Sequence, residues 1–381
     1  MVVLLVFMVG VNIGNGRISL PSRGVASTNL PATLNYASVN DLYQSLKENY
    51  SGKLTEDQLL DGLKHGLAES TGDPYTVYFT PKEAESFQSD LNNTFSGIGA
   101  ELGKSDQGSI QVIAPIGGTP ADKAGIRAKD VIATINSKTT VGMSIEDAVK
   151  AIRGKAGTSV TLQIVRGGSE ALTLTITRET IQVPSVTTKT LDNNVGYLQI
   201  SSFSTDTADL VDEAAESFKK AGVKKIILDL RNNPGGQVDA AISVASQWLP
   251  QGALIMQEKR GSEVTQSYQS TGTSKLQGIP TVVLINEGSA SASEIVAAAL
   301  HDNKQAYLLG EKSYGKGVVQ RIINFNDGSE LKVTVASWYR PNGENINHQG
   351  IKPDKAAALS DEDAKAGNDT QLQAAQAYLR E

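Results

Sequence analysis

The spacing of hydrophobic positions changes three times along the 381-residue chain, and each change predicts a different kind of structure. Residues 1–14, MVVLLVFMVGVNIG, are apolar almost throughout and lead into a polar stretch with Pro, Ser and Asn that runs to Asn40. This pattern predicts a targeting or anchor segment with its linker over residues 1–40, although no Lys or Arg supplies a basic start before it. From Asp41 to Leu91, the residues Leu42, Leu46, Leu59, Leu60 and Leu63 recur at helical spacing, and DPYTVYFTP closes the run with turn residues and aromatics. That predicts a small helical module over residues 41–94. From Phe95 the period falls to two, with Val160, Leu162 and Ile164 in one strand, Leu172, Leu174 and Ile176 in the next, and Gly167-Gly168 turning between them. Two helices interrupt these strands, one over PADKAG (residues 120–125) and one capped by Ser144, with Asp147 three places on and Ala148, Val149 and Ile152 on one face.

From Val183 the strands become continuous apolar runs that alternate with amphipathic helices: GYLQISSF, a helix through LVDEAAESFKKAG, KKIILDLRNNPGG, the helix VDAAISVASQWL, then TVVLINEGSASASEIVAAALHD. Alternation of this kind predicts an α/β sheet covered on both faces, so the chain as a whole is α+β and multidomain. Sites in such sheets form beyond the carboxyl ends of the strands. NNPGG (residues 232–236) and EGSAS (residues 287–291) both stand there, each where a strand turns into a helix, and the two turns can face one crevice.

Composition narrows the chemistry. A formal net charge of −6 offers no broad basic field, so nucleic acid is not an expected partner. The absence of cysteine excludes disulfides, thiolate catalysis and Cys-based metal sites. With only His65, His301 and His348, scattered along the chain, no multi-histidine metal centre is expected. No metal or other cofactor is expected, and the reactive groups must be Ser, Lys, Asp, Glu or backbone. The apolar start places the protein outside the cytoplasm, secreted or anchored to the cell membrane, with that segment in contact with the bilayer.

GEKSYGKGVVQ (residues 310–320) resembles a phosphate-binding P-loop until Gly317 stands where the metal-binding hydroxyl belongs, so Lys316 needs another use. In EGSASASE, Ser289, Ser291 and Ser293 precede a helix whose free N–H groups could stabilise an oxyanion, although serines at helix starts are more often simple caps. A nucleophile needs a base. A continuous helix from Ser291 would put His301 about 15 Å away, and Asp302 fails on the same measure. Lys316 serves if burial lowers its pKa, because an ammonium has no lone pair. It stands between Gly315 and Gly317 and runs into Val318 and Val319, whereas Lys304 and Lys312 have polar surroundings. Gln320 lies four places on, and because strand side chains repeat every two residues it shares a face with Lys316, where its amide oxygen could orient the amine.

The unit from about residue 95 to 180, with FSGIGAEL, SIQVIAPIGGTPADKAGI and KDVIATIN, resembles a PDZ domain. The resemblance implies that the backbone of Gly97, Ile98, Gly99 and Ala100 cradles the terminal carboxylate of a peptide, which adds as a strand. With DPYT, DLRNNPGG, SASASE, GEKSYGKGVVQ and YRPNGENINHQGIKPD, most of the chain is similar to the carboxy-terminal processing peptidases, or tail-specific proteases. That family resemblance implies Ser291 as nucleophile, Lys316 as general base, Gln320 as its orienter, and an oxyanion hole from the N–H groups of Ala292 and of Gly235 or Gly236. It also implies a crotonase- or Clp-peptidase-like core over residues 181–381, and protein or peptide substrates with accessible, apolar C-termini. The competing expectations are an inactive PDZ scaffold that binds peptides without cutting them and, more remotely, an acyl-CoA enzyme on the same core. The identity of the substrate, the cleavage preference and the oligomeric state are not legible.

Overall fold

The computed structural model describes residues 30–31, 33–105, 107–272, 274–360, 362–363 and 366–380. The apolar segment at residues 1–14 lies outside them. The chain divides into two units, Met1–Leu60 and Asp61–Glu381. In the first, helix α1 (Ala37–Asn49) buries no residue. Helix α2 (Glu56–Glu69) starts at a reciprocal cap, in which Thr55 Oγ1 accepts from the Gln58 N–H at 3.2 Å and Gln58 Oε1 accepts from the Thr55 N–H at 3.0 Å. The leucine spacing located these helices but not a core. Leu42, Leu60 and Leu63 stay exposed, and among the described residues they join no buried cluster of their own.

In the second unit, strand β1 (Val77–Phe79) precedes α3 (Pro81–Leu91), which begins with a capping box between Thr80 and Glu83 and with Pro81 in its first turn. Strand β2 (Thr94–Gly97) then leads into β3 (Ala100–Lys104), β4 (Ile110–Pro115), the short α4 (Pro120–Lys123), β5 (Val131–Ile135), β6 (Lys138–Thr139), α5 (Ile145–Ile152), β7 (Ser159–Arg166) and β8 (Glu170–Thr177). These strands form one sheet in the order β3-β4-β5-β7-β8, with β6 on β5. Its core includes Ile110, Val112, Ile132, Val160, Leu162 and Ile164, the last three being the alternate positions read from the sequence. Strand β9 (Glu179–Gln182) runs back antiparallel to β2, Thr94 opposite Gln182, so the chain enters and leaves this sheet through one two-stranded ribbon.

The remainder holds β10 (Val186–Leu191), β11 (Val195–Ile200), α6 (Thr207–Lys220), β12 (Lys225–Asp229), α7 (Val238–Ser246), β13 (Leu254–Arg260), β14 (Glu263–Gln269), β15 (Thr281–Ile285), α8 (Ala292–Asp302), β16 (Ala306–Gly310), β17 (Val318–Asn324), β18 (Glu330–Tyr339), β19 (Lys355–Ala356) and α9 (Thr370–Tyr378). One sheet runs β10-β11-β12-β15-β16-β19, parallel except for β10. Both faces are covered, as continuous apolar strands require. Val211, Phe218, Val244, Trp248 and Ile295, from α6 to α8 and the residues after α7, cover one face. Ala375 and Leu379, at the C-terminal helix, pack on the other with Tyr197, Ile227 and Leu284. A second, antiparallel sheet is built around β18, which pairs with β17 along one edge and with β1 and β13 along the other, and β14 follows β13.

Candidate active site

Strands β12, β15 and β16 are adjacent and parallel, so their carboxyl ends deliver three turns to one edge of the sheet: Leu230–Gln237, Asn286–Ser291 and Glu311–Gly317. The first two are stitched together. Asn286 Oδ1 accepts the Asn232 N–H at 2.8 Å, and Asn286 Nδ2 donates to Asn232 Oδ1 at 2.8 Å. The Asn233 carbonyl accepts from the Ala290 N–H at 3.0 Å and from Ser293 Oγ at 2.8 Å. NNPGG and EGSAS therefore lie against each other at one edge of the sheet.

The three serines separate at once. Ser289 donates its hydroxyl to the Leu230 carbonyl at 2.7 Å, Ser293 donates to that of Asn233, and both are fully buried. Their hydroxyls serve the turn. Ser291 is partly exposed and stands at the start of α8 with φ 55° and ψ −114°, a conformation that costs a non-glycine residue about 1–3 kcal/mol. Gly235 (φ 102°) packs directly behind it. A Cβ there would lie 2.8 Å from Ser291 Cβ, 2.7 Å from the Ala290 carbonyl oxygen and 3.0 Å from the Ala292 nitrogen.

The two glycine candidates for an oxyanion hole also differ. The Gly235 N–H already donates to Asn233 Oδ1 at 2.9 Å, so it could serve only by giving up that bond. Among the described residues the Gly236 N–H has no acceptor, nor does that of Ala292 in the first turn of α8. Gly236 and Ala292 are the available donors.

The third turn is fixed on all sides. Trp338, almost fully buried, donates its indole N–H to the Lys316 carbonyl at 2.8 Å. Asn345 Nδ2 donates to the Gly317 carbonyl at 2.8 Å, and Asn347 Oδ1 accepts the Gly317 N–H at 3.2 Å. A Cβ on Gly317 would come within 2.5 Å of the Asn347 nitrogen, which explains a glycine where a P-loop has a hydroxyl. The ENINHQG stretch (residues 344–350) thus braces the lysine turn.

One carboxylate joins the second and third turns. Glu294, fully buried on α8, accepts the Ser291 N–H at 2.8 Å and the Lys316 N–H at 2.9 Å on Oε2, and the Ser313 hydroxyl at 2.6 Å and the Gly315 N–H at 2.7 Å on Oε1. Burial pushes this carboxyl above its usual range, and the four donors oppose that push. Three of the four donors are backbone N–H groups that can only donate, so the geometry suits the ionised acid. The Ser-x-x-Glu spacing of a capping box could have drawn attention to Glu294, but its reach to the third turn leaves no mark in the sequence.

Burial pushes the Lys316 amine down from the ordinary lysine value, and the charge of Lys332 adds to this, while Glu294 and Asp73 work against it. Among the described residues Lys316 Nζ and Ser291 Oγ are not hydrogen-bonded to each other; the amine lies 5.0 Å from the centre of the Tyr75 ring. For Gln320 the expected strand alternation does not hold. Lys316 belongs to the turn before β17, and the register shifts between Val319 and Gln320, so a period of two cannot be counted from one to the other. Gln320 Nε2 reaches Thr334 Oγ1 at 3.5 Å. His301 and Asp302 lie at the far end of α8, where Arg340 bonds Asp302 and His301 reaches Asp354 at 3.0 Å. They are structural, as the helix rise required. In the inserted sheet, the Gly97–Ala100 loop joins β2 to β3 and is anchored by its carbonyls: Ile98 accepts from the Ala121 N–H at 2.7 Å and Gly99 from the Ile116 N–H at 2.9 Å.

A strained serine at a helix start, with candidate oxyanion donors and a partly buried lysine on a neighbouring turn, is an arrangement that suits a serine peptidase, and sequence comparison shows the family. Residues 194–357 match Peptidase family S41 and residues 111–166 match the PDZ domain. The chain is 43% identical over 326 residues to the carboxy-terminal processing protease CtpA of Bacillus subtilis (strain 168), covering 85% of this chain and 69% of that protein. It is 39% identical over 332 residues to a probable CtpA-like serine protease of Staphylococcus aureus (strain N315), covering 87% and 66%. The chain thus spans about two thirds of the length of these relatives. Among solved structures, the photosystem II D1 C-terminal processing protease superposes with a TM-score of 0.51 at 28% identity, over 84% of this chain and 87% of that one. A putative S41 protease from Bacteroides fragilis shares the fold, with a TM-score of 0.56 at 18% identity over 92% and 99%. The chain belongs to peptidase family S41, as a CtpA-like carboxy-terminal processing protease with a PDZ domain.

Proposed function

We propose that this peptidase cuts proteins whose accessible, apolar C-terminal tails are held by the PDZ loop Gly97, Ile98, Gly99 and Ala100, and that Ser291 and Lys316 form its catalytic dyad. The supporting observation is the single oxygen of Glu294 that accepts the backbone N–H of both residues, which fixes the nucleophile turn and the base turn to one point. In the reaction, neutral Lys316 takes the Ser291 hydroxyl proton as Oγ bonds to the scissile carbonyl carbon. The carbonyl oxygen becomes an oxyanion facing the N–H groups of Ala292 and Gly236, with Gly235 as the alternative donor. As the C–N bond breaks, the Lys316 ammonium returns its proton to the leaving amine. Water then attacks the acyl-enzyme by the same proton path in reverse. Gln320 orients the lysine.

The division we assign is a targeting segment and linker over residues 1–40, a helical module over 41–94, the PDZ domain over 95–180 and a crotonase- or Clp-peptidase-like core over 181–381. The tether raises the local concentration of a bound tail at the cleft, so modest affinity suffices. The working location is outside the cytoplasm, with the N-terminal segment against the membrane. Incubating the chain with unstructured proteins that end in apolar or charged residues, followed by mass spectrometry of the fragments, tests this reading. Cleavage that favours apolar tails and is lost in Ser291→Ala supports it. An inactive scaffold would bind tails equally in both forms and cut nothing.

A further inference from the structure

The segment Asp73–Thr76 belongs to none of the three turns at the strand ends, yet it lies against the lysine. Its position is set by pairing distant in sequence. β1 starts one residue later and runs antiparallel to β18, Val77 opposite Lys332. Thr334 on β18 donates its backbone N–H to Thr76 Oγ1 at 3.2 Å. Inside the segment, the Asp73 carboxylate accepts from the Tyr75 N–H at 3.1 Å and from the Thr76 hydroxyl at 2.6 Å, which fixes its direction. The Tyr75 ring then stands 5.0 Å from Lys316 Nζ, within the range at which an ammonium is attracted to an aromatic face. Burial raises the Tyr75 hydroxyl above its usual range, and Tyr314, on the lysine's own turn, adds to that push.

Three elements present charge to the amine: Asp73 from this segment, Glu294 from α8 and Lys332 from β18. The two carboxylates favour the ammonium form and Lys332 disfavours it. Phe79 and Phe87 stack on each other, and Lys332 Nζ lies 5.5 and 5.2 Å from their ring centres, so its charge is carried by a packed side chain.

We infer that Asp73–Thr76 is a working part of the catalytic centre: Tyr75 seats Lys316 while it is protonated, Asp73 and Lys332 oppose each other over its charge, and the amine leaves the ring for Ser291 once its proton has passed to solvent. The inference rests on Lys316 being the base. Tyr75 and Lys332 act through Lys316 and are positioning residues.

The test is the pH dependence of kcat/KM for the full chain and for Tyr75→Leu, Tyr75→Phe and Lys332→Met, each checked for folding by circular dichroism. Loss of the ring removes support for the ammonium, so the acid limb of Tyr75→Leu moves to lower pH by about half a unit. Tyr75→Phe keeps the ring and its limb stays with the wild type. Lys332→Met removes a like charge and its limb moves the opposite way, to higher pH. Limbs that stay fixed while rates fall at all pH values overturn the inference, as do limbs that move in the same direction in Tyr75→Leu and Lys332→Met. If Tyr75→Leu does not fold, the upward shift in Lys332→Met decides alone. Lys316→Ala distinguishes the failures: an active variant sinks the base assignment itself, whereas an inactive one with unmoved limbs sinks only the role of this segment.

Discussion

Ser291 and Lys316 donate their backbone N–H groups to the same oxygen, Oε2 of Glu294, at 2.8 and 2.9 Å. Two turns from different strand ends are thereby held at one buried charge, and neither can shift without breaking a charge-assisted hydrogen bond.

Glu294→Gln follows directly. The amide would set an NH₂ group against N–H donors, leaving buried groups unpaired at about 1–3 kcal/mol each. The expected result is a folded protein with a kcat about 10 to 100 times lower and a smaller change in KM, because tail binding uses other residues. Steady-state kinetics with a thermal melt checks it. An unchanged kcat contradicts a positioning role.

Gly235→Ala tests the contact behind Ser291, the proposed nucleophile. The new methyl group would meet the Ala290 carbonyl oxygen and Ser291 Cβ at under 3 Å, at a position with φ 102°. Overpacking of this kind costs about 1–3 kcal/mol, and the relief available is displacement of Ser291. Activity should fall more than a hundredfold, by analogy with the effect of misplacing a reacting group by about 1 Å. Comparing cleavage rates with urea midpoints separates this from simple unfolding.

Arg231→Met probes how the C-terminal helix is held. Arg231 bonds Asp229 at 2.6 Å and Asp369, the cap of α9, at 2.8 Å, while the Tyr197 hydroxyl donates to Asp229 at 2.8 Å. Asp229 is almost fully buried, so removing its partner leaves a buried charge at a cost of about 3–5 kcal/mol. Equilibrium urea unfolding should show that loss. A shift below 1 kcal/mol, on the order expected of a surface pair, would contradict it.

The lowered value of Lys316 has a consequence for stability, with a definite sign. Its folded-state pKa lies below the unfolded value of about 10.4, so the unfolded chain binds more protons and stability rises with pH between the two. The penalty is full below the lowered value and gone above about 10.4. Lys316→Met should be inactive yet more stable than the wild type at neutral pH, with the gap closing as pH rises toward 10. Urea midpoints across that range check the prediction, and a gap that does not narrow contradicts it.

Much of this site was legible in the chain, and the reasons differ residue by residue. SASASE and GKGVVQ carried Ser291 and Lys316 because both lie in short motifs at strand ends, where local geometry determines what faces the crevice. Glu294 was hidden because its first visible role is a helix cap. Tyr75 and Asp73 were hidden because they reach the lysine through the pairing of β1 with β18, which no local period reports. β14 is exposed along nearly its whole length and shows no alternation, so the second sheet had no hydrophobic signature there. The face on which Gln320 stands was not legible, because a bulge breaks the two-residue period just before it.

The central claim is that a neutral Lys316 amine activates the Ser291 hydroxyl. It is tested most directly by the rate at which a serine-reactive probe labels residue 291 as a function of pH, in the wild type and in Lys316→Arg, whose side chain cannot give up its proton. Labelling in the wild type should rise through a pH below the ordinary lysine value and be at least about 100 times slower in Lys316→Arg. Equal labelling in the two proteins, or labelling at another residue, would contradict the account.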